Sequence, residues 1–152
     1  MREMLFVAIL AVAIPVRPDR HAPPAPPPPP IAQIQGRWQM TQYLLNGQAR
    51  PQSTIDNLSI TIEGSEMRIE SKSAKKTTTT YAFQFDPSKT PATFDFTSKT
   101  APSKLTYVGI LKVEGDLMTM TFTRGDGAER PKQFDAPANA TGYLWQMRRI
   151  PN

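Results

Sequence analysis

The sequence contains no cysteine, and its one histidine, His21, lies in a proline-rich N-terminal region. The absence of cysteine excludes disulfides, thiolate metal sites, a catalytic cysteine and the lipid-attachment cysteine of bacterial lipoproteins. Without a histidine in the rest of the chain, a histidine-based triad or an imidazole zinc site cannot form there. No aspartate-rich loop has calcium-binding spacing, and no carboxylate pair or Ser–Lys dyad lies in a recognisable catalytic motif. We therefore expect no cofactor, no metal site and no enzymatic activity.

Long hydrophobic runs are also scarce. The longest, Leu5–Ile14, has ten residues, about half of what a membrane-spanning helix needs. The small residues Ala11 and Ala13 flank Val12 in the pattern that signal peptidase accepts, so we predict a signal peptide at residues 1–13. A retained anchoring segment is the alternative. The predicted location is secreted, or periplasmic and associated with the cell envelope.

Proline is abundant but unevenly placed. Nine of the sixteen prolines precede residue 31, so residues 14–33 are predicted to be a disordered, proline-rich linker. Proline lacks an N–H group and fixes φ, which favours a semi-rigid polyproline II spacer over a helix or a sheet. Residues 34–152 then form one folded domain, and we expect a monomer.

Basic residues exceed acidic ones, with a formal net charge of +5. From residue 31 onward, fifteen lysines and arginines face eleven carboxylates, and they are interspersed along the chain. This pattern is typical of a soluble surface, and we expect no nucleic-acid partner. Five loop lysines could contact acidic polysaccharide or an envelope protein, or could simply be solvated: Lys72, Lys75, Lys76, Lys99 and Lys104.

The domain shows the period-two pattern of β-strands. Ile60 and Ile62 alternate with polar residues, as do Met118, Met120 and Phe122, and turn residues such as Asn46-Gly47 separate the runs. Phe134 is a candidate start of a short edge segment. About eight strands with little helix predict an all-β fold, either an antiparallel up-and-down β-barrel or a sandwich.

Several short segments together carry a family resemblance. They are Ile34-Gln-Gly-Arg-Trp38, Asn46-Gly47, Ile60-Thr-Ile-Glu-Gly64, Asp86-Pro-Ser-Lys89 with Pro91, Gly109-Ile110, Gly115-Asp116-Leu117 and Glu129-Arg-Pro131 with Phe134. Their order and spacing, from Ile34 to Arg149, resemble a family of uncharacterised domains expanded in planctomycete bacteria and regarded as lipocalin-like. The chain departs from the family at Arg37, where a small residue or threonine is commoner, and at Thr121, where many members carry cysteine. The resemblance implies a lipocalin-like β-barrel but no activity, because the family has none agreed.

The resemblance also implies how the barrel closes. In lipocalins, the tryptophan of a Gly-x-Trp segment covers the barrel floor beneath an arginine from the last strand. Gly36 and Trp38 match that segment, and Arg148 or Arg149 can supply the guanidinium. A cation–π contact at such a site contributes about 1–2 kcal/mol.

The alternation also predicts which side chains face the barrel interior. The candidate ligand contacts are Tyr81, Phe83, Phe85, Phe94, Phe96, Met118, Met120 and Phe122. An eight-stranded barrel can be filled by its own side chains or can hold one small ligand, and bulky residues favour a filled interior. The leading interpretation is an extracytoplasmic, non-catalytic binding or interaction module. The alternative is a carrier of a small apolar ligand in the barrel interior.

Overall fold

The computed structural model describes residues 31–100, 103–136 and 142–152. The predicted signal peptide and residues 14–30 of the predicted linker lie outside the described residues. Linker residues 31–33 belong with Ile34 to a short helix, α1 (Ile31–Ile34), and α2 follows at Gln52–Asp56. No helix in these described ranges has the length and apolar character needed to cross a bilayer.

The remaining elements are β-strands. They are β1 (Gly36–Leu45), β2 (Gln48–Ala49), β3 (Leu58–Glu63), β4 (Glu66–Ser71), β5 (Thr77–Asp86), β6 (Ala92–Ser98), β7 (Thr106–Glu114), β8 (Leu117–Arg124) and β9 (Gly142–Arg149). Strand β1 pairs with β3, each later strand pairs with the next, and β9 pairs back with β1. All pairings are antiparallel, and β2 is an extra strand beside the end of β1. The predicted all-β, up-and-down barrel of about eight strands with little helix is confirmed, and its shape is lipocalin-like.

An irregularity in β1 decides which side chains enter the barrel. The β1–β9 register shifts by one residue between Met40 and Gln42, which is a β-bulge at Thr41. Because side chains alternate between the two faces of a strand, the extra residue changes the phase of everything after it. Trp38 and Met40 face inward before the bulge, and Tyr43 faces inward after it, opposite Trp145 of β9.

The two ends of the barrel differ. At the end that we call the closed end, α1 covers the interior, and Ile34, Trp38 and Met67 are all 0% exposed. Phe94 and Met118 are packed above them, with at most 1% exposure. At the other end, the mouth, strands β1, β4, β6 and β8 end and strands β3, β5, β7 and β9 begin.

The β8–β9 connection crosses the outer face of the barrel. Arg130 of this connection donates hydrogen bonds to the carbonyls of Phe94 (2.8 Å) and Gly109 (2.7 Å). Ile110 is on the outer face of β7 by register but is only 2% exposed. Because this part of the outer face is buried, β7 carries apolar residues on both of its faces. Phe134 begins no strand; it lies in a bend, with the Lys112 Nζ atom 5.2 Å from its ring centre.

Candidate functional site

The interior opens into a cavity of about 220 Å³ at the mouth. Its walls come from all eight strands that close the barrel: Met40, Tyr43, Leu58, Ile69, Tyr81, Phe96, Tyr107, Phe122, Tyr143 and Trp145. A larger depression of about 620 Å³ lies in the β8–β9 connection, but residues 123–135 of one segment form it by themselves. The mouth cavity is the better candidate because a closed sheet holds its walls in place.

All four tyrosines of the sequence meet at this cavity. The Tyr43 and Tyr143 ring centres are 6.3 Å apart, and Tyr107 lies 6.1 Å from both Tyr143 and Tyr81. Such separations fall in the range in which aromatic rings attract each other, and most of these pairs meet edge to face. Tyr43, Tyr81 and Tyr143 are only partly buried, so solvent reaches the upper wall of the cavity.

Burial favours the protonated form of the Tyr43, Tyr81 and Tyr107 hydroxyl groups by raising their pKa. It raises the pKa of Tyr81 to about 12, and the neighbouring Tyr107, Tyr143 and Tyr43 contribute in the same direction. Burial and Tyr143 also raise the pKa of Tyr43 and of Tyr107, while the charges of Arg50 and Arg124 respectively oppose those shifts. At neutral pH these three tyrosines are therefore uncharged groups that can donate or accept hydrogen bonds.

Trp145 contributes a polar atom whose bonding is incomplete. The side chain is 6% exposed and lines the cavity, and its Nε1–H is buried without a hydrogen-bond partner in the described part of the chain. Its ring is held edge-on against Phe122 at 4.7 Å and against Tyr43 at 5.7 Å. A buried donor without an acceptor costs about 1–3 kcal/mol, so an acceptor atom entering the cavity would recover part of that cost.

The eight predicted interior residues divide between the cavity and the packed core. Tyr81, Phe96 and Phe122 line the cavity. Four others, Phe83, Phe94, Met118 and Met120, are buried in the core cluster at 2% exposure or less. Phe85 is partly buried and packs against that cluster without lining the cavity.

Four aromatic cavity residues were missed by the sequence analysis as ligand contacts: Tyr43, Tyr107, Tyr143 and Trp145. A signal was available for three of them. Tyr43 is two residues from the mouth end of its strand, and Tyr107 and Tyr143 are the second residues of theirs. Aromatic residues near the same end of successive antiparallel strands must cluster in a closed barrel.

The residues predicted to close the barrel meet at its other end. The Trp38 Nε1–H donates to the Ile34 carbonyl at 3.0 Å, and the Arg149 guanidinium carbon lies 4.2 Å from the Trp38 ring centre. Arg149 also donates to the carbonyls of Gln33 and Gln35, while Arg148 is exposed. A Cβ atom at Gly36, which has φ +109°, would contact Arg149. This end is sealed by packed side chains, so a ligand would enter through the mouth.

The described residues contain no group of three or more acidic or histidine side chains placed to hold a metal ion. Comparison with known proteins adds no assignment, since no family model, no curated protein and no solved structure matches the chain. The geometry of the mouth cavity is therefore the basis for a functional proposal.

Proposed function

We propose that this protein binds a small, mainly apolar molecule in the mouth cavity, as a non-catalytic module outside the cytoplasm. The observation that carries the proposal is an aromatic cavity, walled by all eight barrel strands, one of whose lining residues, Trp145, has a buried indole N–H without a partner among the described residues. Concave, mostly apolar sites with a few converging polar groups are typical of small-molecule binding.

The size of the cavity limits the ligand. An engineered cavity of about 150 Å³ is enough to hold benzene. The mouth cavity has about 220 Å³, and the interior below it is filled by core side chains. The site therefore suits a single ring with one or two small substituents, and it is too shallow for a long acyl chain.

Two kinds of polar group determine which ligands the cavity favours. The Trp145 Nε1–H favours a ligand with an acceptor oxygen or nitrogen, and the tyrosine hydroxyls can bond either kind of group. A ring with a carbonyl substituent meets both requirements. An unsubstituted ring would leave the indole N–H without a partner and should bind less tightly.

The cellular setting is part of the same proposal. The hydrophobic run before Ala13 and the proline-rich stretch after it support export and a spacer that holds the barrel away from its attachment point. We propose that the protein acts as a monomer that retains or delivers its ligand outside the cytoplasm. Its membership of the planctomycete lipocalin-like family stays a prediction, and the proposed ligand site does not depend on it.

Binding of benzaldehyde and toluene to the full-length chain tests this function. We expect both to bind, benzaldehyde more tightly, with titration shifts in NMR spectra confined to residues around the cavity. Leu58→Trp places an indole at the partly exposed edge of the cavity and should weaken binding of both probes at least about tenfold. Thr78→Trp adds the same group at an exposed position on the outer face of β5 and should leave binding unchanged.

Two outcomes would contradict the proposal. If the probes bind Leu58→Trp and the unmodified protein alike, they do not use the mouth cavity. If millimolar probe produces no shift in the unmodified protein, the cavity is not a site for ligands of this size.

A further inference from the structure

We propose that the ligand is a small aromatic carboxylate, whose ring occupies the mouth cavity and whose carboxylate is bound by Arg50 at the rim. This inference rests on the proposed function and specifies the chemical class of its ligand. It follows from the distribution of charge along the barrel, from the position of Arg50 and from the walls of the cavity.

The net charge of the domain is concentrated at the mouth. Apart from the β8–β9 connection, which crosses the outer face, three chain segments join strands at that end: residues 46–57, 72–76 and 99–105. These mouth segments contain six lysines and arginines but only one carboxylate. The rest of the domain from residue 31 onward has nine basic and ten acidic residues, so the positive excess of the domain belongs to the mouth segments. An anion approaching this end meets an attractive potential.

Arg50 brings one of these charges to the edge of the cavity. Its backbone N–H donates to the Tyr43 carbonyl at 2.9 Å, and its guanidinium carbon lies 5.7 Å from the Tyr43 ring centre. Tyr43 is a wall residue of the cavity. The charge of Arg50 also lowers the pKa of the Tyr43 hydroxyl against the stronger raising effect of burial, so its field reaches the cavity wall.

Arg50 differs from three other arginines of the barrel in having no acidic neighbour among the described residues. Arg68, Arg130 and Arg149 each form an ion pair with a carboxylate. Within the described ranges, no carboxylate lies within ion-pair distance of the exposed Arg50 side chain. Its planar guanidinium is therefore available for two parallel hydrogen bonds to a ligand carboxylate.

The charges around the cavity favour an anionic ligand over a cationic one. Aromatic walls can bind ammonium groups through cation–π contacts. However, no carboxylate of the described residues lines this cavity, and the mouth segments around it carry a positive excess. Arg124 adds a further positive charge near the wall, since it is paired with Tyr107 in the β7–β8 register. A neutral ring below a carboxylate satisfies the apolar wall and the positive rim together.

Matched probes test the inference on the full-length chain. Phenylacetate and its neutral amide, phenylacetamide, have nearly the same shape, and both can be titrated calorimetrically at neutral pH. We expect the acid to bind about ten to a hundred times more tightly than the amide, as a charge-assisted hydrogen-bonded pair would give. Raising sodium chloride from about 0.05 M to about 0.5 M should weaken binding of the acid more than that of the amide.

Two arginine variants identify the group responsible. Arg50→Gln should weaken phenylacetate binding about tenfold or more while changing phenylacetamide binding less than about twofold. Arg37→Gln removes an equivalent charge from an exposed position in β1 at the closed end. It should leave both affinities within about twofold of the unmodified protein.

The possible failures are distinguishable. If the amide binds as tightly as the acid, or if Arg50→Gln weakens both probes equally, the inference is wrong although the proposed function stands. If neither the two probes nor benzaldehyde binds, both are wrong. If polygalacturonate binds tightly, is not displaced by phenylacetate and is unaffected by Leu58→Trp, the positive mouth is a polymer-binding surface, and that result also overturns the inference.

Discussion

Trp38 makes the central contacts that seal the closed end of the barrel. It is 0% exposed, donates a hydrogen bond to α1 and lies under the Arg149 guanidinium. Removing it would open a large void and release the helix that covers the barrel. Arg149 ties the same helix through two backbone carbonyls, so the indole and the guanidinium act as one unit.

Trp38→Ala is expected to lower the free energy of unfolding by about 3–5 kcal/mol, as truncations of buried aromatic residues do. Urea unfolding followed by circular dichroism measures the change. Arg149→Ala should cost about 1–2 kcal/mol or more through the lost cation–π contact. The exposed Arg148→Ala should stay within about 0.5 kcal/mol. A loss below about 1 kcal/mol for Trp38→Ala would show that the indole does not close the barrel.

Tyr81 gives the stability of the protein a pH dependence, to which Tyr43 and Tyr107 contribute in the same direction because burial raises their pKa as well. Its pKa rises from 10.0 to about 12 on folding, chiefly through burial. Below pH 10 the hydroxyl is protonated in both states and the full contribution is present. Between about pH 10 and about pH 12 the unfolded chain loses this proton while the folded protein keeps it, so stability falls as pH rises.

We therefore expect the urea midpoint of the unmodified protein to fall more steeply than that of Tyr81→Phe across this alkaline window, and the two curves to run parallel below it. Comparing the two proteins cancels the titration of lysines, which occurs in the same range. Tyrosinate absorbance should show one group fewer titrating near pH 12 in the variant. Parallel curves throughout would mean that Tyr81 is solvated in the folded state.

Among the connecting elements, the β8–β9 segment is held to the barrel chiefly by Arg130. The guanidinium bonds the carbonyls of Phe94 and Gly109 and pairs with Asp95 at 2.7 Å. Three acceptors from β6 and β7 thus converge on one side chain. On the inner face of β7, Gly109 allows tight packing, because a Cβ atom there would lie 2.5 Å from the Thr121 carbonyl oxygen and 2.6 Å from the Phe94 ring.

Arg130→Ala is expected to cost about 1–3 kcal/mol, because it removes charge-assisted hydrogen bonds from partly buried acceptors. Amide hydrogen exchange should accelerate in residues 125–136 and remain slow in β3 and β4, which lie away from the contact. Arg130→Lys keeps the charge but cannot reach three acceptors in one plane, so it should restore less than half of the loss. Equal exchange rates in all three proteins would show that other contacts hold the segment.

The strands themselves were predictable from the sequence, because alternation and turn residues are local signals. Tyr81, Phe96 and Phe122 were placed inward correctly on that basis. For Tyr43 the sequence indicates only its place near the mouth end of β1, because its inward orientation depends on the bulge at Thr41, which changes the phase of the strand and forms in the pairing with β9. The segment at Phe134 was predicted as a candidate strand, but its apolar ring instead packs near Lys112 on the outer face.

At the scale of the whole molecule, the closed barrel was predicted and is confirmed, whereas the division of its interior was not. Whether a barrel is filled depends on side chains from every strand at once. From the sequence, the interior is expected to be one space, either filled or hollow. In the structure, the half near Trp38 is packed and the half near the tyrosines contains the cavity. The asymmetry of charge was missed for a similar reason, because it emerges only when loops are sorted by barrel end.

This asymmetry predicts a difference between equal changes made at opposite ends. Replacing Lys72, Lys75 and Lys76 by glutamine removes three charges from the mouth, whereas the same change at Arg37, Lys89 and Arg148 removes three exposed charges elsewhere. In stopped-flow measurements at low salt, we expect only the first variant to slow phenylacetate association, by about twofold to fivefold. The difference should disappear at about 0.5 M salt. Equal slowing by both variants would mean that net charge alone matters.

The chain has two tryptophans, and the fold separates them by placing Trp38 at the closed end and Trp145 in the cavity. The protein thus carries two intrinsic fluorophores at opposite poles. Emission from Trp145 reports occupancy of the mouth, and emission from Trp38, beneath its guanidinium, reports the integrity of the floor. Quenching by a bound ring and spectral shifts on unfolding can therefore be read separately without any attached dye.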